Sequence, residues 1–534
     1  MSPALRQACD EHPFLEDYLN TLPIDEIGMP DYYPKPSRSL QKLPRWNLIY
    51  AIKDGLFVHI YPTTTGERNF HVTIEPDLML DLDDLLKRVE ERLIDYAEDI
   101  GSEETEMGKR QALLDALDEI CTQDPNENSE RIYVTPREFE GIRYHMLREK
   151  VGLGALQPLI LDPYIEDISC SGVGHVFIEH KIFKSLQSSI YFSTLDELDD
   201  FVVWLGEWIK RPVTVRNPIV DATLPDGSRI NIVYGREIAT RGSNFTIRKF
   251  AETPLSVLEL IEFGTLNYDM AAYLSLILEE GLNLFVVGAT ASGKTTTLNA
   301  ITTFILPDAK IVTIEDTPEV QIPHANWCRE VTRAASQGNK GEEVGMFALL
   351  KAALRQRPDR IIVGEIRGEE GAIAFQAMQT GHGVMSTFHA ASVEKLIQRL
   401  TGNPINIPKT YIDNLHVALI QAAVRGPDGR RLRRVLSINE ILGYDPVSES
   451  FSFIEVFRWN SSNDTFEFPG NMSSFLMEEV ISMKRGIPSH KKKSIYTELR
   501  KRARIFERIH KERGIRSFDD FFRILSEAHR KGLL

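Results

Sequence analysis

Gly288-Ala289-Thr290-Ala291-Ser292-Gly293-Lys294-Thr295 follows the apolar run 284–287 and leads into the helix-forming stretch 296–305. Strand, loop and helix in this order are what a phosphate-cradling loop requires. Its glycines let consecutive backbone N–H groups converge at a helix N-terminus, where unpaired donors and the helix dipole both favour negative charge. The stretch predicts a site for a nucleoside triphosphate and Mg²⁺. Gly288, Thr290, Ala291, Ser292, Gly293, Lys294, Thr295 and Thr296 are the expected binding residues. Lys294 is expected to reach the β- and γ-phosphates and Thr295 to offer its hydroxyl to the metal, which prefers oxygen ligands.

Outward from this loop, apolar runs at 284–287, 310–314, 360–364 and 383–387 alternate with helical segments near Thr296, Phe347, Glu370 and Val393. That alternation implies an α/β domain with a parallel sheet covered on both faces. Ligands of such sheets bind at the carboxyl ends of strands, and each chemical motif of the chain follows one of these runs. Glu315 and Asp316 emerge after 310–314; a carboxylate there can orient or deprotonate an attacking water, the role expected of Glu315. Acids at this point also cap turns, which is the structural alternative. The run Arg360-Ile361-Ile362-Val363-Gly364-Glu365 has the form of a Walker-B strand ending in the acid Glu365 beside Mg²⁺, with helix initiation as its alternative. His382 and His389 bracket the next strand and are candidates for sensing the γ-phosphate, although a lone histidine is more often a core or surface residue. A developing charge on phosphoryl oxygens needs a cation. Arg229, Arg241 and Arg248, with Arg355, Arg357 and Arg367 around the Walker-B strand, are candidates, each also a candidate for an ordinary salt bridge.

With 534 residues, the chain is too long for one core. The apolar stretch 271–278 is far short of a membrane span, and residues 1–10 do not resemble a secretory signal, so a cytoplasmic protein is expected. Its four cysteines are scattered, with no paired spacing for structural zinc. The formal charge of −15 conceals an asymmetry. Residues 75–130 are dominated by Asp and Glu, whereas 484–531 hold sixteen Lys/Arg against six Asp/Glu. Such a basic end suits an acidic partner or anionic lipid, or is a solvated helix face.

Four regions are expected. Residues 1–130 combine an arm, read as extended through residue 45 because of Pro23, Pro30, Pro34, Pro36 and Pro44, with an acidic helical module. Residues 131–250 read as an α+β domain with a hairpin turn at Pro225-Asp226-Gly227-Ser228. Residues 251–460 carry the phosphate loop, and 461–534 form a basic helical tail.

The loop at 288–295, the Glu315-Asp316 pair, Leu354-Arg355-Gln356-Arg357-Pro358-Asp359-Arg360 leading into 361–367, and the stretch 381–389 occur in the order seen in the secretion ATPase superfamily. The chain closely resembles that family, the hexameric motors of type II and type IV secretion and type IV pili. Residues 224–231 and 244–250 look like its archaeal branch, which drives archaella and pili. The resemblance covers roughly 130–445. It implies a RecA-like P-loop NTPase domain preceded by an α+β, PAS-like domain and an N-terminal helical module, with nucleotide between two lobes. It also implies that Lys294 and Thr295 hold phosphate and Mg²⁺, Glu315 handles water, Glu365 supports the metal, His389 contacts the γ-phosphate region, and Arg229 and Arg248 approach nucleotide from the second domain. The partners it implies are a homo-hexamer, a polytopic membrane platform protein and accessory motor proteins at the inner face of the cytoplasmic membrane, with neither direct nucleic-acid binding nor structural zinc. A ring-shaped nucleic-acid translocase is the competing class; it would need a basic or aromatic strand-tracking groove, against a strongly acidic chain. A scaffold that binds ATP without hydrolysing it is a second rival.

Overall fold

Among the described residues the strands form two large sheets and one two-stranded ladder. The computed structural model describes residues 1–63, 68–103, 105–125, 130–250, 253–333, 344–426, 429 and 431–533. The chain divides into two compact units, Met1–Ala251 and Glu252–Leu534.

The first unit is built on a ten-stranded sheet. Its strands are β1 (Asp31–Tyr33), β2 (Leu48–Ala51), β3 (Phe57–Tyr61) and β4 (Phe70–Ile74), while β5 (Cys121–Thr122) and β6 (Ile132–Tyr133) form a separate small ladder. The sheet continues with β7 (Ile165–Cys170), β8 (Gly174–His180), β9 (Lys184–Phe192), β10 (Ile219–Thr223), β11 (Arg229–Val233) and β12 (Asn244–Arg248). The order across it is β1-β2-β3-β4-β9-β8-β7-β12-β11-β10. The expected division at 130/131 therefore falls inside one sheet: β4 pairs with β9 through Phe70 opposite Gln187 and His71 opposite Ser188. A buried carboxylate reinforces this junction. Asp162 accepts hydrogen bonds from Tyr50 Oη (2.6 Å) and His71 Nε2 (2.9 Å), residues on β2 and β4. Strands β10 and β11 are antiparallel about the turn at 225–228, with Thr223 opposite Arg229.

The extended arm expected through residue 45 begins instead with two helices, Pro3–Glu11 and Pro13–Thr21. Pro3 and Pro13 stand in the first turns, where the missing N–H has no intrahelical partner to lose. The prolines that discourage helix, from Pro23 onward, come after them. Leu5, Phe14, Leu15 and Leu19 are buried against Phe57 and Ile74 of the sheet.

The second unit is built on a nine-stranded sheet whose strands are β13 (Leu284–Gly288), β14 (Ile311–Glu315), β15 (Trp327–Val331), β16 (Arg360–Glu365), β17 (Gly383–Phe388), β18 (Val417–Arg425), β19 (Arg431–Asp445), β20 (Ser450–Asn460) and β21 (Thr465–Glu467). The order is β15-β14-β16-β17-β13-β18-β19-β20-β21. The six from β15 to β18 are mutually parallel, and β18 to β21 continue antiparallel. One strand, β17, separates the phosphate-loop strand β13 from the Walker-B strand β16, the strand order of RecA-like P-loop folds. Every residue of β13 and β14 is buried, as a parallel strand covered on both faces requires.

The basic tail belongs to this unit. The helix Ile495–Lys511 is amphipathic: Leu499, Ala503, Phe506 and Ile509 enter the core that also contains Phe304, Phe521 and Leu525. The Phe304 and Phe506 rings stack at 5.6 Å. Lys501, Arg504 and Arg508 face solvent. Among the described residues no helix is long and apolar enough to cross a membrane.

Candidate functional site

The phosphate loop connects β13 to the helix Lys294–Ile301. Its shape is visible in the backbone: Gly293 has φ +93° and Ala291 has φ +60°, the left-handed region that a side chain normally avoids. At Gly288 the exclusion of a side chain is steric. A β-carbon there would sit 2.2 Å from the Gln421 carbonyl oxygen and 2.6 Å from Ser292 Oγ. The first N–H groups of the helix have no intrahelical acceptor, so Gly293, Lys294, Thr295 and Thr296 present donors of the kind a phosphate takes up.

Lys294 and the two strand-end residues Glu365 and His389 come together beside the loop. Lys294 Nζ donates to the Ala289 carbonyl (3.1 Å) and lies 3.4 Å from His389 Nε2. His389 Nε2 in turn lies 2.8 Å from Glu365 Oε1. Glu365 Oε2 accepts from Arg367 Nη2 at 2.5 Å. Burial lowers the Lys294 pKa, opposed by the Glu365 charge. Burial, then the Lys294 charge, lower that of His389, opposed by the Glu365 charge. Glu365 owes its aim to a β-bulge: the register of β16 on β17 shifts between Val363 and Glu365, and Thr387 Oγ1 donates to the Gly364 carbonyl across the irregularity.

Glu315 ends β14 almost fully buried. Its Oε1 accepts from the N–H groups of Glu319 and Val320, both at 2.8 Å, so one oxygen caps the following turn as the structural alternative has it. The other, Oε2, is buried with no hydrogen-bond partner, 3.8 Å from Arg329 Nε. Burial pushes the Glu315 pKa up to about 7 against the two backbone donors. A carboxyl with one oxygen anchored, the other unsatisfied, and a pKa near neutrality has the properties of a general base. Asp316, exposed, accepts from Thr332 Oγ1.

The remaining candidates are placed elsewhere. His382 precedes β17 and bonds Thr380 Oγ1. Because β17 runs parallel to β13, His382 stands at the end of the sheet opposite the loop, which removes it from the γ-phosphate. Arg355 and Arg357 likewise precede β16, and Arg360 is buried, donating to the Leu278 and Leu282 carbonyls. In the first unit Arg229 pairs with Asp221 (Nη2 to Oδ2, 2.6 Å), and Arg248 lies 3.9 Å from Asp167, the salt-bridge alternative in both cases.

Two residues at the loop escape sequence reading. Gln421 on β18 donates from Nε2 to the Ser292 carbonyl (2.9 Å), and Arg433 on β19 donates from Nε to the Ala291 carbonyl (3.3 Å). They lie more than a hundred residues downstream in stretches without a motif, and only the strand order delivers them. Several buried polar atoms without partners cluster in this region: Ser292 Oγ, Thr297 Oγ1, Gln421 Oε1 and Glu315 Oε2. The positive-φ loop and the N–H donors that open its helix suit a phosphate group, while the unpartnered acceptors Gln421 Oε1 and Glu315 Oε2 suit water or another donor.

A RecA-like sheet, a left-handed loop opening a helix, and a carboxylate two strands away define a P-loop protein. Residues 149–432 match the model of the Type II/IV secretion system protein family. The chain belongs to this family. It is 43% identical over 519 residues to the Methanocaldococcus jannaschii protein MJ0900, covering 94% of this chain and 93% of that one. It is 32% identical over 271 residues to the Type IV secretion system protein PtlH of Bordetella pertussis, covering 47% of this chain and 79% of PtlH. The Legionella pneumophila ATPase DotB structure aligns at 19% identity over 68% of this chain and 92% of DotB with a TM-score of 0.40, a likeness too loose to carry an inference.

Proposed function

We propose that this chain is an ATPase, hydrolysing ATP to ADP and phosphate, that powers assembly of archaeal type IV pilus-like filaments or secretion through a membrane platform. The observation that carries the reading is the convergence of Lys294, His389 and Glu365 beside the loop, with His389 Nε2 3.4 Å from the lysine and 2.8 Å from the carboxylate. Family membership supports the same conclusion.

In this reading the N–H groups of residues 293–296 and Lys294 bind the β- and γ-phosphates. Thr295 and Glu365 would hold Mg²⁺, which would supply positive charge against the phosphate oxygens. Glu315 Oε2 accepts a proton from the attacking water as the bond to the terminal phosphorus forms and that from phosphorus to the ADP oxygen breaks. His389, whose Nε2 lies between Lys294 and Glu365, loses its lysine neighbour when Lys294 turns to phosphate, and so reports occupancy of the site. The chain works as a homo-hexamer. The acidic helices of the first unit and the exposed basic face of the tail dock the polytopic platform protein and accessory motor proteins at the inner face of the cytoplasmic membrane.

Phosphate release by the purified chain tests the reading: turnover by the wild type, lost in Lys294→Ala, supports it. Negligible wild-type turnover, matched by Glu315→Gln, would establish an ATP-binding scaffold instead. Many-fold stimulation by single-stranded DNA at physiological salt would turn the assignment to a nucleic-acid translocase.

A further inference from the structure

Gln421 and Arg433 approach the phosphate loop from the antiparallel extension of the sheet, and they differ in what they have left to give. Gln421 is buried. By holding the Ser292 carbonyl it aims the next N–H, that of Gly293, to the opposite side, because the two groups of a planar trans peptide point in opposite directions. Its role is exhausted in shaping the loop. Arg433 is exposed. Its Cδ lies 3.1 Å from the point where a β-carbon on Gly293 would stand, so its stem lies against the left-handed residue of the loop. Its Nε spends one donor on Ala291 O, and the terminal nitrogens have no acceptor among the described residues.

The neighbouring arginine shows the contrast. Arg434, on the other face of β19, is buried and committed to Asp464 through two bonds of 2.8 Å and to the Phe263 carbonyl. Arg433 has no acid partner among the described residues. Its anchored Nε orients a planar guanidinium at the rim of an anion cradle, with four N–H donors in the fork geometry that matches two oxygens of one phosphate. A triphosphate brings several negative charges to a loop whose own full positive charge is Lys294 alone.

We propose that Arg433 is a nucleotide-binding residue that takes phosphate oxygens of the bound nucleoside di- or triphosphate through its terminal nitrogens. This rests on the ATP-binding reading above and adds a ligand from β19. Removing a charge-assisted bond of this kind costs roughly tenfold in affinity or more.

The test is ADP binding to the full-length chain at several salt concentrations, for the wild type, Arg433→Met, Arg433→Lys and Lys294→Ala. Methionine keeps an apolar stem over Gly293 and removes the charge; lysine keeps the charge and removes the Nε anchor. Arg433→Met should bind ADP about tenfold more weakly, with a flatter salt dependence, while the melting temperature of the nucleotide-free protein stays at the wild-type value. Arg433→Lys, with the charge but not the fork, should recover part of the loss and keep the wild-type salt dependence. Wild-type affinity in Arg433→Met overturns the proposal, as does an equal loss in Arg433→Lys with an unchanged salt slope, which makes Arg433 a brace for Ala291. A wild type that binds no ADP overturns the ATP reading itself, an outcome distinct from normal binding that ignores Arg433.

Discussion

Glu315 Cγ lies 3.0 Å from the point where a β-carbon on Gly364 would sit, and Glu315 Oε1 lies 3.5 Å from it. The glycine before the Walker-B acid is thus the space into which the proposed base is packed. Gly364→Ala should push Glu315 off its seat while leaving the phosphate loop untouched. Overpacking of this kind costs about 1–3 kcal/mol, so ATP turnover is expected to fall roughly tenfold or more with ADP affinity retained. Steady-state phosphate release beside ADP binding checks it; equal loss of both would mean the whole site has moved.

The pH dependence follows from Glu315, whose pKa is raised from 4.5 to about 7 by burial. A base must be ionised, so turnover should rise with pH through about 7. In Glu315→Gln turnover should fall roughly a hundredfold and lose that limb. For stability the sign is opposite. The folded state holds a proton that the unfolded state has released between pH 4.5 and about 7, so stability falls as pH rises across this window, by roughly 3 kcal/mol in all. Thermal melts should show Glu315→Gln gaining on the wild type at pH 8 and losing that advantage near pH 4. A parallel pair of melting curves would contradict the raised pKa.

Gly288→Ala meets Ser292 Oγ at 2.6 Å and, closer still, backbone, with the Gln421 carbonyl oxygen 2.2 Å away. Nothing nearby can yield without separating β13 from β18. Loss of ADP binding is expected together with a lowered melting temperature, in contrast to Lys294→Ala, which should lose binding at unchanged stability.

Glu440 on β19 is fully buried and accepts from Tyr273 Oη, Ser474 Oγ and the N–H groups of Phe475 and Leu476. Burial raises its pKa against these donors. It is one of the points at which the tail is pinned to the sheet. Glu440→Ala leaves four donors unpaired at about 1–3 kcal/mol for each that finds no water. Limited proteolysis should then cut first within 468–534, while the wild type resists there.

Much of the second unit is legible in the chain because its signals are local. A loop with glycines at defined offsets, a lysine and a threonine imposes a backbone shape within eight residues, and apolar runs separated by helical periods force a parallel sheet whose carboxyl edge must carry Glu315, Glu365 and His389. The misplaced candidates show where local reading ends. His382 and Arg357 are close in sequence to motif residues, yet each precedes its strand, and a strand's two ends are separated by its full length. In the first unit, the proline-rich reading of the arm failed because helix formation there is set by Pro3 and Pro13 in first turns and by Leu5, Phe14 and Leu19 finding Phe57 and Ile74 to cover them.

By itself, the amino-acid order determined the phosphate loop, the parallel α/β core around it and the family to which the chain belongs, since each depends on residues a few positions apart. Only the tertiary structure decided that Gln421 and Arg433 grip the loop, that Gly364 makes room for Glu315, that the tail helices fill the core of the second unit, and that strands on both sides of residue 130 share one sheet. The physical reason is that strand pairing and core packing unite residues far apart in the chain through buried area and hydrogen-bond satisfaction, quantities that no short window of sequence contains.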